Sequence, residues 1–383
     1  MDVYSSVFCR TSRRAAITRT SDFKAGELTM DFGICVASHI NDIDYVVRAE
    51  ELGYSHAWLA DSQMLWSDCY ATLAIAASRT NHIRLGTGVA ISGTRPAPVT
   101  AASIATINAI APNRTFLGVG AGNTALRVMG QPPQRIKEFD RYLETLSPLL
   151  KGEESILDTP DGPTAIRHIM PDKGFVNFDD PIPLYISGFG PRSLGLAGKY
   201  GNGAVLGMPK NPTMMNKIWG MIETGAEHDI DRDDYYTTAL TTIVVLNPGE
   251  AVDSDRVKAE CGAMAMAGIH YAYEQVRNFG KEPTGALSYV WDDYKTMIES
   301  YPEDRRHQRI HAGHNCWVIP EEEQFLTPEV LQSSSLIGTK EQLIDLLASL
   351  DDAGLDQVMI LPNFDTRFDV LERVARDIVP AFN

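Results

Sequence analysis

The stretch that most constrains the fold runs from residue 83 to residue 123, I-R-L-G-T-G-V-A-I-S-G-T-R-P-A-P…R-T-F-L-G-V-G-A-G-N. It predicts two buried strands, over residues 83–92 and 115–122, joined by a helix over residues 97–111. Apolar strands connected by a helical crossover are typical of a parallel sheet. Both strands end in small residues, and glycine at a strand end lets the backbone approach a flat or phosphorylated ligand closely. We therefore expect a cofactor at the carboxyl ends of these strands, where parallel α/β folds build their sites.

The same alternation of strand and helix continues along the chain. Strands are predicted at residues 31–38, 55–61, 83–92, 115–122, 183–190, 203–208, 236–246 and 357–362. Helices are predicted at residues 41–52, 68–80, 97–111, 134–150, 192–200, 212–228, from about 254, at 339–353 and at 367–379. Asn41 is expected to cap the first helix. Eight strands, each followed by a helix, predict an α/β fold of the (β/α)8 TIM-barrel type, with a doubly wound open sheet as the alternative.

Two irregular stretches interrupt this pattern, at residues 153–180 and 279–335. They follow the fourth and seventh predicted helices, and we interpret them as insertions in the barrel rather than separate domains. The first has turn residues and short alternating pieces that suggest a small hairpin. Residues 30–383 are accordingly expected to form a single domain.

Residues 1–29 differ from the rest of the chain in carrying arginines, serines and threonines with little apolar periodicity. We interpret them as an N-terminal extension that is poorly ordered or packs on a partner subunit. A transit peptide, or translation that begins at Met30, is the other explanation for this composition.

Composition narrows the class of function. A formal net charge of −16 and a pI near 5.0 argue against nucleic acid or an anionic membrane as the main partner. No apolar run approaches the roughly 20 residues of a membrane span. The 5 cysteines are scattered and contain no C-x-x-C, which favours free thiols in a reducing compartment. A cytoplasmic enzyme is the expectation that follows.

Several motifs occur in one order over some 350 residues. They are A-E-E-L-G-Y-S-H-A-W-L-A-D (49–61), A-A-S-R-T-N-H-I-R-L-G-T-G-V (76–89), N-R-T-F-L-G-V-G-A-G (113–122), P-L-Y-I-S-G-F-G-P-R-S-L-G-L-A-G (183–198), H-A-G-H (311–314) and L-I-G-T-K-E-Q-L (336–343). Together they resemble the bacterial luciferase-like superfamily of flavin- and deazaflavin-dependent oxidoreductases. The resemblance implies a barrel with reduced flavin or F420 at its C-terminal face, commonly in a homodimer.

That family divides on chemistry. One branch takes reduced FMN from a separate NAD(P)H:flavin reductase and uses O2 as co-substrate, and the other binds F420 and moves a hydride without oxygen. A reduced-FMN monooxygenase acting on a small apolar or heterocyclic substrate is our first expectation, because that branch contains more chains with large late insertions. F420-dependent hydride transfer is the alternative, favoured by Asp61 where luciferase-like members carry histidine. A flavin-binding protein without catalysis is the third possibility.

The resemblance and the glycine pattern together indicate the cofactor site. The phosphate is expected at the start of a helix, on the loop formed by Ser187, Gly188, Phe189, Gly190 and Pro191, with Gly207 beside it. Ser92 and Gly93 match the place where the family has a strand bulge under the flavin ring, often with a non-proline cis peptide, and Asn123 could bond a flavin edge. An ordinary βα turn, an ordinary strand end and a loop-capping amide are the structural alternatives for these three features.

Candidate catalytic groups follow from position and chemistry. Asp61 ends a buried strand and could act as an acid or base, or could instead form a salt bridge. His311 and His314 lie in the second insertion and could exchange protons or be structural. His39 and Trp66 are expected to line the substrate pocket. We expect no metal, because the two histidines and Cys316 do not form a convincing zinc-ligand set.

Overall fold

A computed structural model describes residues 29–280 and 282–382, and there the chain alternates strands with helices. The strands are β1 (Asp31–Val36), β2 (His56–Leu59), β3 (Arg84–Ile91), β4 (Thr115–Gly120), β5 (Ser155–Thr159), β6 (Gly162–Ile166), β7 (Leu184–Ser187), β8 (Gly203–Gly207), β9 (Tyr236–Thr241), β10 (Ile243–Val245), β11 (Leu336–Gly338) and β12 (Gln357–Ile360). The α-helices are α1 (Asp44–Glu51), α2 (Cys69–Arg79), α3 (Ala97–Ile110), α4 (Asn123–Arg127), α5 (Ile136–Leu149), α6 (Pro191–Tyr200), α7 (Pro212–Gly225), α8 (Asp255–Phe279), α9 (Trp291–Glu299), α10 (Arg306–Ile310), α11 (Pro328–Ser334), α12 (Lys340–Asp352) and α13 (Arg367–Asp377).

Eight of these strands close into a parallel barrel in the order β1-β12-β9-β8-β7-β4-β3-β2. Closure is explicit at β1, which pairs in parallel with β2 on one side and with β12 on the other. The predicted (β/α)8 TIM barrel is confirmed, and the open sheet is wrong because no barrel strand is left with a free edge in the described part of the chain.

Two local predictions are wrong. The seventh predicted strand is two strands, because the chain leaves the barrel after β9 and β10 pairs instead with β11. Asn41 does not cap the first helix, since α1 begins at Asp44 behind Ile43 and has no side-chain cap. The hairpin expected within residues 153–180 is present as β5 and β6.

Large rings fill the amino-terminal half of the barrel. Trp58 packs on Phe116 with ring centroids 4.3 Å apart, and Phe116 packs on Tyr185 at 5.4 Å. Tyr185 contacts Tyr236 at 5.6 Å, and the Trp58 indole N–H donates to the Gln357 side chain at 2.9 Å. The interior of this half is therefore a packed core, so a ligand can enter only above it, at the carboxyl ends of the strands.

The second insertion builds its own apolar core outside the barrel. Helices α8, α9 and α11 pack around buried aromatic residues, among them Tyr273, Trp291, Tyr294 and Phe325. No helix in residues 29–280 or 282–382 is both long and apolar enough to cross a bilayer. The expected N-terminal extension lies outside the described residues except for Thr29, whose N–H donates to Asp351.

Helices α6 and α7 approach closely because glycines face each other at their contact. A Cβ on Gly198 would overlap the backbone oxygen of Ile222, whereas a Cβ on Gly220 of α7 would meet nothing within 4 Å. Gly198→Ala should therefore lower the free energy of unfolding by about 1–3 kcal/mol, because the helices must separate.

Gly220→Ala is the matched control. It should raise the free energy of unfolding by about 0.5–1 kcal/mol through its effect on helix propensity and chain entropy. Urea denaturation of both variants measures the difference. Equal effects from the two substitutions would contradict close packing at Gly198.

Candidate active site

An open cavity of about 1010 Å³ lies at the carboxyl ends of the barrel strands. Its floor is apolar and is formed by Cys35, Val205, Leu240, Met359 and Leu361. Predicted site residues that line it are Asp61, Trp66, Asn123, Ser187, Gly188, Phe189, Gly190, Pro191 and His314. Five predicted site residues are not on its wall, namely Ser92, Gly93, Gly207, His39 and His311.

A bulge in β3 shapes one side of the cavity. The pairing of β3 with β4 shifts register between Thr87 and Ala90, and the Gly88–Val89 peptide bond there is cis. Gly88 and Val89 line the cavity, and a Cβ on Gly88 would come within 2.5 Å of Trp58 Cβ. Placing the bulge at Ser92 and Gly93 was wrong, because the glycine that tolerates contact with Trp58 is the one inside the strand.

Ser92 and Gly93 lie behind the cavity wall instead. The Ser92 hydroxyl is buried, 3.0 Å from the Gly120 carbonyl oxygen and 2.5 Å from Gln134 Oε1. Gly93 sits against Leu126, where a Cβ would be 2.9 Å from a methyl carbon. Ser92 thus ties β3 to β4 rather than facing a ligand.

The loop between β7 and α6 has the features of an anion site. The Gly188 N–H donates to the Val205 carbonyl at 3.1 Å, and the Leu194 N–H closes the first helical turn on the Gly190 carbonyl. Pro191 has no N–H, and no described residue accepts from the N–H groups of Arg192 or Ser193. Free N–H groups and the helix dipole attract a phosphate at this point. Gly207 lies under the Phe189 ring, outside the cavity.

Three cationic side chains extend the cavity wall beyond this loop. Arg135, Lys137 and Arg192 all line it and are exposed. None of the three forms an ion pair with any carboxylate that the structure describes, although the whole chain carries a net charge of −16. The cavity edge is therefore locally positive and suited to an anionic ligand longer than one phosphate.

Asp61 is held in a salt bridge at the cavity wall. Its carboxylate is buried, lies 2.5 Å from Arg95 Nη1 and accepts from the Ile91 N–H at 3.4 Å. Arg95 also contacts Asp68 at 2.6 Å, and its guanidinium lies over the Tyr70 ring. In this arrangement Asp61 fixes the end of β2 to the loop after β3.

The two predicted histidines lie at different depths. His314 lines the cavity with its ring 6.1 Å from that of Trp66, while His311 is buried behind it. Burial, and then the charge of His314, lowers the pKa of His311 to about 2. Burial, and then the charge of His270, lowers the pKa of His314 to about 3. Both imidazoles are therefore neutral and present lone pairs.

The predicted pocket residues divide in the same way. Trp66 lines the cavity, and its indole N–H donates to Cys316 Sγ at 3.4 Å. His39 is exposed against Phe364, with ring centroids 5.9 Å apart, and does not reach the cavity.

The sequence reading missed one wall of the cavity, which α8 supplies. Tyr271, Gln275 and Asn278 line it. Their spacing of four and three residues puts them on one helical face, so a polar stripe was visible in the sequence. Next to them Glu274 of α8 pairs with Arg127 of α4, and both side chains are buried.

The Arg127–Glu274 pair should hold α8 against the barrel mouth. Glu274 has two arginine neighbours, buried Arg127 and exposed Arg277 at 3.9 Å. Arg127→Ala should lower the free energy of unfolding by about 3–5 kcal/mol, because it leaves a buried carboxylate without its main partner. Arg277→Ala, the matched control, should cost less than about 1 kcal/mol. Denaturant titration measures both, and similar losses would show that the buried pair is not special.

Comparison with known proteins follows this geometry. The profile of the luciferase-like monooxygenase family matches residues 30–357. A 5,10-methylenetetrahydromethanopterin reductase of Archaeoglobus fulgidus is 25% identical over 92% of this chain and 99% of its own length. The reductase of the same name from Methanolobus tindarius is 34% identical, but that match spans 42% of this chain and 48% of the relative. An F420-dependent glucose-6-phosphate dehydrogenase of Beutenbergia cavernae is 29% identical over 73% of this chain and 79% of that protein.

Solved structures agree on the fold. The coenzyme F420-dependent tetrahydromethanopterin reductase of Methanopyrus kandleri superposes with a TM-score of 0.65 at 20% identity, covering 93% of this chain and 100% of that one. The oxygenating constituent of 3,6-diketocamphane monooxygenase from Pseudomonas putida, in complex with FMN, gives a TM-score of 0.57 at 15% identity. It covers 92% of this chain and 99% of that one.

Proposed function

Because the chain belongs to the luciferase-like monooxygenase family, we propose that it is an F420-dependent oxidoreductase that transfers a hydride between the deazaflavin and a small organic substrate. Curated relatives support this choice of cofactor. The Beutenbergia cavernae dehydrogenase is F420-dependent by name, and the match with the Archaeoglobus fulgidus reductase extends over nearly the full length of both chains. The reduced-FMN monooxygenase, our first expectation from sequence, becomes the second candidate.

The observation that carries the proposal is the positive edge formed by Arg135, Lys137 and Arg192. FMN ends at its phosphate, whereas F420 continues past its phosphate into a chain of carboxylates. A phosphate on the N–H groups at the start of α6 would direct such a chain toward these cations. Cations without protein partners beyond the phosphate loop are thus better matched to F420 than to FMN.

The cavity also fits the rest of the cofactor. Its volume of about 1010 Å³ is at the upper end of the range for small-molecule sites, roughly 300–1,000 Å³, which leaves room for a tricyclic ring and a substrate together. The apolar floor suits a flat ring, and the bulge at Gly88 and Val89 removes side-chain bulk beside it.

The chain's own residues would bind, orient and desolvate the reactants. The α6 N-terminus holds the phosphate, and Val89 with the apolar floor supports one face of the ring. When bound, F420 supplies a carbon centre that gives or accepts a hydride. Trp66, Asn123 and His314 remain for the substrate, with the neutral His314 ring able to accept a proton or a hydrogen bond. Tyr271 and Gln275 of α8 exclude water from that side.

The FMN-dependent monooxygenase, with O2 as co-substrate and a separate reductase, is favoured by the description of the family itself. It would use the same floor and the same phosphate loop. It would leave the three cations of the cavity edge without a role, which is why we rank it second.

Charge at the cavity edge should control affinity for F420. Arg135→Ala/Lys137→Ala should weaken F420 binding by about 5–30-fold at low ionic strength, from roughly 0.5–1 kcal/mol per exposed contact. The loss should shrink as salt is added. Fluorescence titration of the purified protein with F420 gives the dissociation constants.

Arg141→Ala is the matched control, since Arg141 lies on the same helix as Lys137 but is not on the cavity wall. It should leave F420 affinity unchanged, and the double variant should leave FMN affinity unchanged. An F420 affinity that is the same in the double variant and the wild type would contradict the proposed route of the cofactor tail.

A further inference from the structure

Three histidines that are distant in sequence converge beside the cavity. His270 lies on α8, His311 directly follows α10, and His314 is in the turn after it. One ring nitrogen from each lies within 4.8 Å of the others. We propose that these imidazoles form a binding site for a divalent first-row transition metal ion of the Zn²⁺ type. This site is independent of which flavin the protein uses.

The free nitrogen atoms of the cluster are the first argument. Nδ1 of His270, Nδ1 of His314 and both ring nitrogens of His311 are buried without a hydrogen-bond partner in the described structure. His270 and His311 are only 2% and 3% exposed. Buried polar atoms are costly unless they are satisfied, so several of them aimed at one point indicate a missing ligand.

The second argument is how the outer nitrogens are fixed. His270 Nε2 lies 3.0 Å from the carboxylate of Glu322, which is fully buried. If Nε2–H donates to this carboxylate, the Nδ1 lone pair of His270 faces the other two rings. A carboxylate that orients an imidazole from behind is typical of metal-ligating histidines.

Asn315 can do the same for His314. Its amide Nδ2 lies 2.9 Å from His314 Nε2, and its own Oδ1 is buried without a partner. Rotating the amide by half a turn places Oδ1 where it accepts from Nε2–H, and this satisfies the oxygen. The Nδ1 lone pair of His314 is then free for the metal.

The chemistry of the donor set selects the ion. Neutral imidazole nitrogen suits Zn²⁺, Cu²⁺, Fe²⁺ and Ni²⁺ rather than Mg²⁺ or Ca²⁺. A tetrahedral zinc with bonds near 2.0–2.1 Å separates its nitrogen ligands by about 3.3–3.4 Å, which small ring rotations reach from the observed spacing. The buried Glu322 carboxylate contributes compensating negative charge.

Three protein ligands leave a fourth position open, as in catalytic rather than structural zinc sites. His314 is on the cavity wall, so a water molecule or a substrate oxygen can occupy that position. Cys316 does not belong to the set, because its sulfur accepts from the Trp66 indole N–H. The sequence showed only His311 and His314, and α8 supplies the third imidazole.

The test is metal stoichiometry and affinity with Zn²⁺ and Co²⁺ as probes. The full chain is stripped with a chelator, dialysed and titrated with Zn²⁺ in competition with a chromophoric chelator, and Co²⁺ is followed by its visible absorption. We expect one ion per chain, a tetrahedral Co²⁺ spectrum and a Zn²⁺-dependent rise in Tm. Glu322→Gln should weaken Zn²⁺ binding by about 10–100-fold.

Ligand variants decide where the ion binds. His311→Asn should abolish one-to-one binding and the rise in Tm, with His314→Asn as a second variant should the first fail to fold. His82→Asn, at an exposed histidine outside the cluster, should keep both. Absence of stoichiometric metal in the wild type, or equal Zn²⁺ affinity in wild type and a folded ligand variant, would overturn the proposal.

Discussion

The aromatic packing inside the barrel is the constraint on which the rest of the structure depends. Trp58, Phe116, Tyr185 and Tyr236 fill the amino-terminal half, and Gln357 fixes the Trp58 indole by a hydrogen bond. Because this half is solid, the cavity is confined to the carboxyl ends of the strands. The same Trp58 excludes a side chain at position 88, and the bulge of β3 lies there. One packed layer therefore sets both the depth of the site and the shape of its wall.

Charge is distributed over this cavity in a way that matches a long anionic ligand. Asp61 is buried but compensated by Arg95, and Glu274 is compensated by Arg127, so neither acidic group leaves an unpaired charge at the wall. The cations that remain unpaired line the cavity beyond the phosphate loop. The pairing of the acidic groups thus makes the edge effectively positive within a strongly acidic protein.

The sequence was informative wherever the chemistry is local. Periodicity predicted every barrel strand, and the glycines after β7 predicted the phosphate loop, because both depend on neighbouring residues. It placed the bulge wrongly, since which glycine bulges depends on contact with Trp58 from another strand. His270 was missed for a similar reason: only the insertion's packing on α8 brings it beside His311 and His314. Contacts between residues far apart in sequence leave no periodic signal.

The central claim is that the cavity accepts F420 in preference to FMN, and a side-by-side anaerobic titration of the purified protein with both reduced cofactors tests it most directly. The account predicts at least about a tenfold lower Kd for F420, a difference of roughly 1.4 kcal/mol, and no rapid O2 consumption by the F420 complex when air is admitted. Tighter binding of reduced FMN, followed by rapid O2 consumption, would contradict it and identify the protein as an FMN-dependent monooxygenase.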